Sequence, residues 1–313
     1  MRRLWVVLSL VCLGCGLFPS LDHLSNNHGG GGAGGRSTGT GTGGTIVDAG
    51  ADAADASDAD AGPVDDAGDA GDAGDAGDGG DPCASEHGPP MVLVTAPTLD
   101  GGTVGTCVDT VEVTRAHYAE FLKVKGGDVS GQPSPCDVRN PSFNGPNNSI
   151  ACTFTVDESS ALPVTCIDWC DARAYCAWAG KRMCGRSPEG VFDSTQMSTK
   201  ESDWFKICTS NNPGFNVYPY GATYDPQKCN GLEHGAGAPL AGGTMTDCQT
   251  NAGVFDLSGN VWEFTGGISG STYAIMMGGG YTSDAGALKC AGQFQDFVER
   301  GFGDVGFRCC KDP

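Results

Sequence analysis

Apolar and polar positions divide the chain into three parts. A short apolar run covers residues 4–13. Residues 29–44 and 48–81 contain no aromatic side chain, so neither stretch can bury enough apolar area to offset the loss of chain entropy on folding. Regular apolar patterns begin only near residue 91. The pattern therefore predicts a disordered linker at 16–81 and one folded domain at 82–313.

Within residues 82–313 the patterns predict short strands and few helices. Thr114 is placed as an N-cap, and Tyr118, Phe121 and Leu122 follow it at helical spacing. Short apolar runs between turn-forming residues predict strands at 91–94, within 104–113, and at 253–255, 261–265, 273–277 and 306–309.

A second helix is predicted after Asp168. Asp168 is a candidate N-cap, and Asp171 lies three positions later, where a carboxylate favours the positive end of a helix. Gly180 is placed to end this helix, and residues 201–208 predict another short one. The remaining residues are rich in Gly, Pro, Asn and Ser. The predicted fold class is α+β, irregular, loop-rich and rich in disulfides.

Charge is unevenly distributed along the chain. The formal net charge is −20, and twelve aspartates between residues 48 and 81 supply more than half of it. The Asp-Ala-Gly triplets of 66–78 repel one another, which extends the linker. No basic patch is evident in the remainder, so the sequence predicts that nucleic acid is not a partner.

The sixteen cysteines bear on the cellular compartment. Fourteen of them lie between Cys83 and Cys310. A high, even count favours a disulfide framework formed in an oxidising compartment. The alternative is a zinc site, which needs repeated tight pairs of Cys or His. The available pairs are Cys166/Cys170 and Cys309/Cys310, and no histidine stands near either.

The N-terminus indicates how the chain reaches that compartment. Arg2 and Arg3 precede the apolar run, as in a secretory signal. Leu13-Gly14-Cys15 then resembles a bacterial lipobox, although Cys12 replaces its usual leucine. We therefore predict a lipoprotein signal peptide at 1–15 and a lipid on Cys15, which would tether the domain to a membrane of the cell envelope. Plain secretion is the alternative.

Four segments of the folded part carry a family resemblance. They are VEVT at 111–114, DWCDA at 168–172 followed by AYCAWAGKR at 174–182, GVFDLSGNVWEFT at 253–265, and GFRC at 306–309. Together they resemble the formylglycine-generating enzymes, also called the sulfatase-modifying factor family. The resemblance implies a fold similar to C-type lectins. It also implies two disulfides, Cys176–Cys309 and Cys208–Cys290.

The third segment carries the family's implied calcium site. By the resemblance, calcium would be held by the side chains of Asp256 and Glu263 and by the backbone carbonyls of Gly259 and Val261. These oxygen ligands are of the type that calcium prefers. Without the resemblance, Asp256 would be interpreted as the start of an Asx turn beside a buried Trp262.

The family's catalytic cysteines are missing. Active members oxidise a substrate cysteine with Cu(I) held by two thiolates, and those positions fall here at Ser283 and about Leu288. Cys290 is assigned to the Cys208 disulfide. Serine and leucine cannot replace thiolates for a soft ion, so the sequence predicts no copper cofactor and no catalytic residue here.

These observations favour a binding or scaffolding protein outside the cytoplasm. Its partner would be a peptide, protein or glycan, with the membrane reached through the lipid anchor. The alternatives are a protein-modifying oxidoreductase of the formylglycine-generating type with an altered site, and an inert structural lipoprotein of the envelope.

Overall fold

The computed structural model describes residues 81–97, 103–145, 152–186 and 194–313. The predicted signal peptide at 1–15 with Cys15, and all of the predicted linker at 16–81 except Asp81, lie outside the described residues. Among the described helices, none has the length and apolar composition needed to cross a bilayer.

The described residues form short helices and short strands, as the sequence predicts for an α+β fold. In chain order they are β1 (Met91–Pro97), β2 (Thr103–Asp109), α1 (Arg115–Lys125), α2 (Cys136–Arg139), α3 (Trp169–Trp178), β3 (Arg182–Met183), α4 (Asp203–Cys208), β4 (Trp262–Ser269), β5 (Tyr273–Met277), β6 (Gln293–Phe297), β7 (Val305–Phe307) and β8 (Cys309–Lys311).

These strands form two four-stranded sheets, with orders β1-β2-β8-β3 and β6-β5-β4-β7. Neighbouring strands run antiparallel except β4 and β7, which are parallel. Strands β7 and β8 follow each other in the chain but belong to different sheets. Only Arg308 separates them, so the chain crosses from one sheet to the other at this residue.

This crossing corrects the prediction of a single strand at 306–309. The Arg308 side chain is buried and bonded to Glu263 on β4, and the chain changes sheets at this buried residue. The strand predicted at 253–255 is also wrong. Phe255 makes only an isolated bridge to Gln249, because Gly253 and Asp256 adopt positive φ angles of 77° and 61° that interrupt an extended backbone.

Both predicted helix N-caps are confirmed. The Thr114 hydroxyl accepts a hydrogen bond from the His117 N–H at 3.2 Å, and His117 Nδ1 accepts one from the Thr114 N–H at 3.4 Å. At α3 the Asp168 carboxylate accepts from the Asp171 N–H at 2.9 Å, and Asp171 accepts from the Asp168 N–H at 3.2 Å. Each pair satisfies two helix N–H groups that would otherwise lack partners.

The capping carboxylates of α3 are unusual because both are buried. Burial raises the pKa of Asp168 to about 7. Burial, followed by the charge of Asp168, raises the pKa of Asp171 well above its usual range. The folded protein therefore binds protons at this pair more tightly than the unfolded chain does, and the pair stabilises the fold less as the pH rises from about 4 to about 7.

We expect the free energy of unfolding to fall across that interval, by an amount on the order of 2 kcal/mol. Urea denaturation between pH 4.5 and 7.5 measures it. Asp171→Asn removes one titrating partner and should flatten the profile, while its amide oxygen can still accept the hydrogen bond from Asn140. A wild-type profile that is flat, or equal in slope to that of Asp171→Asn, would contradict this assignment.

All fourteen cysteines of the described part form disulfides, and the predicted pairs Cys176–Cys309 and Cys208–Cys290 are both present. The other pairs, which the sequence left open, are Cys83–Cys107, Cys136–Cys170, Cys152–Cys166, Cys184–Cys310 and Cys229–Cys248. Cys166 and Cys170 are thus bonded to different partners rather than to a shared zinc ion.

Candidate functional site

The segment at 253–265 folds as a tight turn followed by β4. Asp256, Gly259 and Asn260 all have positive φ angles, between 61° and 84°. A Cβ atom on Gly259 would collide with the backbone carbonyl of Asn230. Glycine is therefore required by the close approach of the two backbone segments as well as by its φ angle.

The turn delivers Glu263 to a buried ion pair with Arg308. Arg308 Nη2 lies 2.6 Å from Glu263 Oε1, and Nε lies 2.8 Å from Oε2. The Trp204 indole N–H donates to the same Oε2 at 2.7 Å. The side chains of Glu263 and Arg308 are each 1% exposed. Charge-assisted, two-point contacts of this kind are among the strongest hydrogen bonds in proteins.

Arg308 also bonds to the backbone on either side of the ion pair. Its Nη1 donates to the Asp109 carbonyl at 2.9 Å, and its Nη2 donates to the Phe255 carbonyl at 2.7 Å. One side chain thereby connects the end of β2, the turn before β4, and β4 itself.

Two further carboxylates lie near this pair. Burial raises the pKa of Asp256 to about 6, and one of its oxygens accepts from the Gly243 N–H at 2.7 Å. Burial and then the charge of Asp256 raise the pKa of Glu112 well above its usual range. Glu112 Oε1 accepts from Asn260 at 2.8 Å, while Oε2 has no partner among the described residues.

The predicted calcium ligands are brought together only in part. Asp256, Gly259, Val261 and Glu263 share one turn and strand, as the resemblance implies. However, both Glu263 oxygens already accept hydrogen bonds from Arg308 and Trp204, so this carboxylate is not arranged as a free ligand. In this arrangement the donor set does not fit a calcium ion at Glu263, and calcium binding stays a prediction.

The two positions that the resemblance assigns to catalytic cysteines hold side chains with structural contacts. Ser283 is 8% exposed, and its hydroxyl accepts from the Gly280 N–H at 3.0 Å. Leu288 is 1% exposed and packs so close to Gly231 and Gly279 that a methyl group on either would collide with it. Leu288 thus fills space in the interior, and Cys290 is held in its disulfide with Cys208.

Three tyrosines that the sequence did not indicate form a cluster, and one of them contacts the loop at 281–288. Tyr218 donates from its hydroxyl to the Ala285 carbonyl at 2.9 Å and stacks on Tyr220 with ring centroids 5.5 Å apart. Tyr224 lies 5.6 Å from the Tyr218 ring. They lie in a segment of turns and bends, so only the tertiary structure shows that their rings come together.

A model of the sulfatase-modifying factor enzyme 1-like domain matches residues 105–313. The chain belongs to the sulfatase-modifying factor family. Among curated relatives, the inactive C-alpha-formylglycine-generating enzyme 2 of Mus musculus is 26% identical to this chain over 175 residues. The match covers 49% of this chain and 50% of that protein. It is 24% identical over 198 residues to the formylglycine-generating enzyme of Mus musculus, covering 54% and 47%. The chain thus spans about half the length of these curated relatives.

Solved structures with a similar chain path include PvdO from Pseudomonas aeruginosa and CarF. PvdO superposes with a TM-score of 0.48 at 15% identity, covering 75% of this chain and all of PvdO. CarF superposes with a TM-score of 0.45 at 18% identity, covering 72% of this chain and 98% of CarF. The predicted α+β, disulfide-rich fold class is confirmed by the described helices, strands and seven disulfides of this chain.

Proposed function

We propose that this protein is a non-catalytic member of the family that binds a ligand outside the cytoplasm. The observation that carries the proposal is that the described part contains no free thiol, since its fourteen cysteines are paired. Cysteines held in disulfides are not thiolate ligands, and Cu(I) prefers thiolates. The similarity to a curated relative that is described as inactive also supports a non-catalytic role.

The test is an oxidation assay on the full chain. With Cu(I), oxygen and a cysteine peptide of the sulfatase type, we expect the peptide mass to stay unchanged, while an active formylglycine-generating enzyme converts the same peptide. Time-dependent conversion by this protein would overturn the proposal and support the alternative, an oxidoreductase with an altered site. Ser283→Cys with Leu288→Cys is the matched variant, and it should bind Cu(I) more tightly than the wild type if the two positions are aligned correctly.

The ligand surface we propose is the loop at 281–288 with the neighbouring tyrosines. Tyr220 is half-buried and packs parallel to Tyr218, and Leu232 beside the loop is 58% exposed. The Leu232 N–H donates to the Ser283 carbonyl at 3.0 Å, which fixes this apolar side chain next to the loop. Tyrosine offers a rigid apolar face with a polar tip, which suits a peptide, protein or glycan ligand.

Peptide and glycan arrays test this surface. Tyr220→Ala should abolish binding of any specific ligand found. Tyr273→Ala is the matched control, because Tyr273 is an accessible tyrosine that lies on β5, away from this loop in the sequence. An equal loss of affinity in both variants would show that the ligand does not bind at this loop. If no specific binder is found, the alternative of an inert structural lipoprotein is favoured.

The proposed location is the cell envelope, with the lipid on Cys15 and the linker at 16–81 holding the domain away from the membrane. The apolar run at 4–13 and the seven disulfides support export to an oxidising compartment. Cys15→Ala should release the protein from membranes or stop its processing. A processed Cys15→Ala protein that remains on membranes would contradict the anchor.

A further inference from the structure

A pocket of about 360 Å³ lies between α3 and the loop that follows α1. Its residues come from 125–183, and none of its described lining residues belongs to the 281–288 loop or to the tyrosine cluster. The volume is within the range of pockets that bind small molecules. This site is therefore separate from the surface in the proposed function.

The floor of the pocket is one face of α3 and its extension. Cys170, Ala174, Ala177 and Trp178 line it at the spacing of residues that share a helix face, and Lys181 lines it just after the helix ends. The two alanines leave the space above the helix open. Since Trp178 is large and Ala174 and Ala177 are small, the floor offers a flat apolar surface beside an open volume.

The wall opposite the helix is held rigidly. Residues 130–133 form it, and the Gln132 side chain donates to the Val129 and Asn140 carbonyls at 3.1 and 3.3 Å. The disulfide between Cys136 and Cys170 links wall to floor covalently. The His87 ring stacks on the Trp178 indole with ring centroids 4.1 Å apart, which fixes the orientation of the indole.

The charge in the pocket is opposite to that of the chain. The described lining residues include four cations and no Asp or Glu: Lys125, Arg173, Lys181 and Arg182. Lys181 is bonded to Asp109 at 2.6 Å, and Arg182 is bonded to Asp203 and Asp312 at 2.8 and 2.6 Å. Lys125, the last residue of α1, has no ion pair among the described residues.

We propose that this pocket binds a small organic anion with a flat apolar body, whose acidic group pairs with Lys125. The apolar body would lie over Ala174 and Ala177 and against Trp178. An ammonium without an ion pair among the described residues, at the edge of an apolar pocket, provides both the charge and the shape for such a ligand.

The experiment uses the full chain and three probes of similar shape: 2-naphthoate, 2-naphthalenesulfonate and the neutral 2-naphthamide. Calorimetry should show one site for at least one anion, bound about tenfold more tightly than the amide, the factor that corresponds to one favourable charge contact. The two anions distinguish a carboxylate ligand from a sulfate-like one.

Two matched variants assign the charge. Lys125→Glu should weaken anion binding at least about tenfold. Lys123→Glu makes the same change on the same helix, at an exposed residue outside the pocket, and should leave affinity within about twofold. Ala177→Phe fills the pocket without changing charge and should abolish binding while the thermal midpoint shows that the protein is folded.

Three results would overturn the proposal. They are equal affinity for the amide and the anions, equal effects of Lys125→Glu and Lys123→Glu, and no saturable binding of either anion at millimolar concentration. The proposed function does not depend on any of them, because its ligand surface shares no residue with this pocket.

Discussion

Replacing Glu263 with glutamine should lower the free energy of unfolding by about 3–5 kcal/mol, the cost of leaving one partner of a buried ion pair without the other. Arg308 would keep its charge in an environment where it is 1% exposed. Glutamine preserves the size and one acceptor oxygen, so the loss reports the missing charge rather than a cavity. Urea denaturation at pH 7 measures the difference.

The matched control is Glu158→Gln, which removes the same charge from an exposed ion pair. Glu158 and Lys123 are about 60% exposed, and their contact should contribute about 1 kcal/mol or less. Both variants should be measured with calcium and with a chelator. We expect Glu263→Gln to lower the free energy of unfolding both with calcium and with the chelator. A loss that appears only with calcium would show that Glu263 is a metal ligand and not chiefly the partner of Arg308.

Removing the two disulfides that end at Cys309 and Cys310 should destabilise the fold by more than the two separate losses combined. Cys176–Cys309 and Cys184–Cys310 close loops of similar extent, with sequence separations of 133 and 126. While one remains, the other closes only a short additional loop of about ten residues, worth about 3 kcal/mol in the chain-entropy model. Without both, the long loop opens as well, and the total loss should reach about 7 kcal/mol.

Three variants complete this cycle: Cys176→Ala with Cys309→Ala, Cys184→Ala with Cys310→Ala, and all four together. Mass spectrometry of the unreduced variants should first show that the other disulfides are intact. Any cavity left by alanine contributes equally to the single-pair and four-residue variants, so it cancels in the comparison. Strictly additive losses would show that the two disulfides do not share a loop in the unfolded chain.

Local signals in the sequence were sufficient for α1, α3 and α4. Thr114 and Asp168 could be identified as N-caps because capping depends on residues within one turn, and the structure has both caps. The strand at 273–277 was also predictable, since its apolar run is bounded by turn residues and matches β5. Local signals did not find α2 or β6, because a four-residue helix and a strand of mostly exposed residues bury too few side chains to leave an apolar pattern.

The proposed sites depend on contacts between distant parts of the chain. The family segments contain Glu112, Glu263 and Arg308, but nothing in their order shows that Arg308 bonds to Glu263. Irregular loops also bring the tyrosines to the 281–288 loop and complete the pocket that Lys125 lines with α3. No apolar periodicity in the sequence predicts how these loops are placed.

The sequence by itself determined the family, the α+β class and the two helix caps, and the family resemblance implied two of the disulfides that the structure contains. Each of these is carried by residue identity or by neighbours a few positions apart. Only the tertiary structure decided the other five disulfides, the crossing at Arg308 and the state of the Glu263 carboxylate. These depend on which distant groups meet in the interior, where a buried charge or thiol must find a partner wherever the folded chain places one.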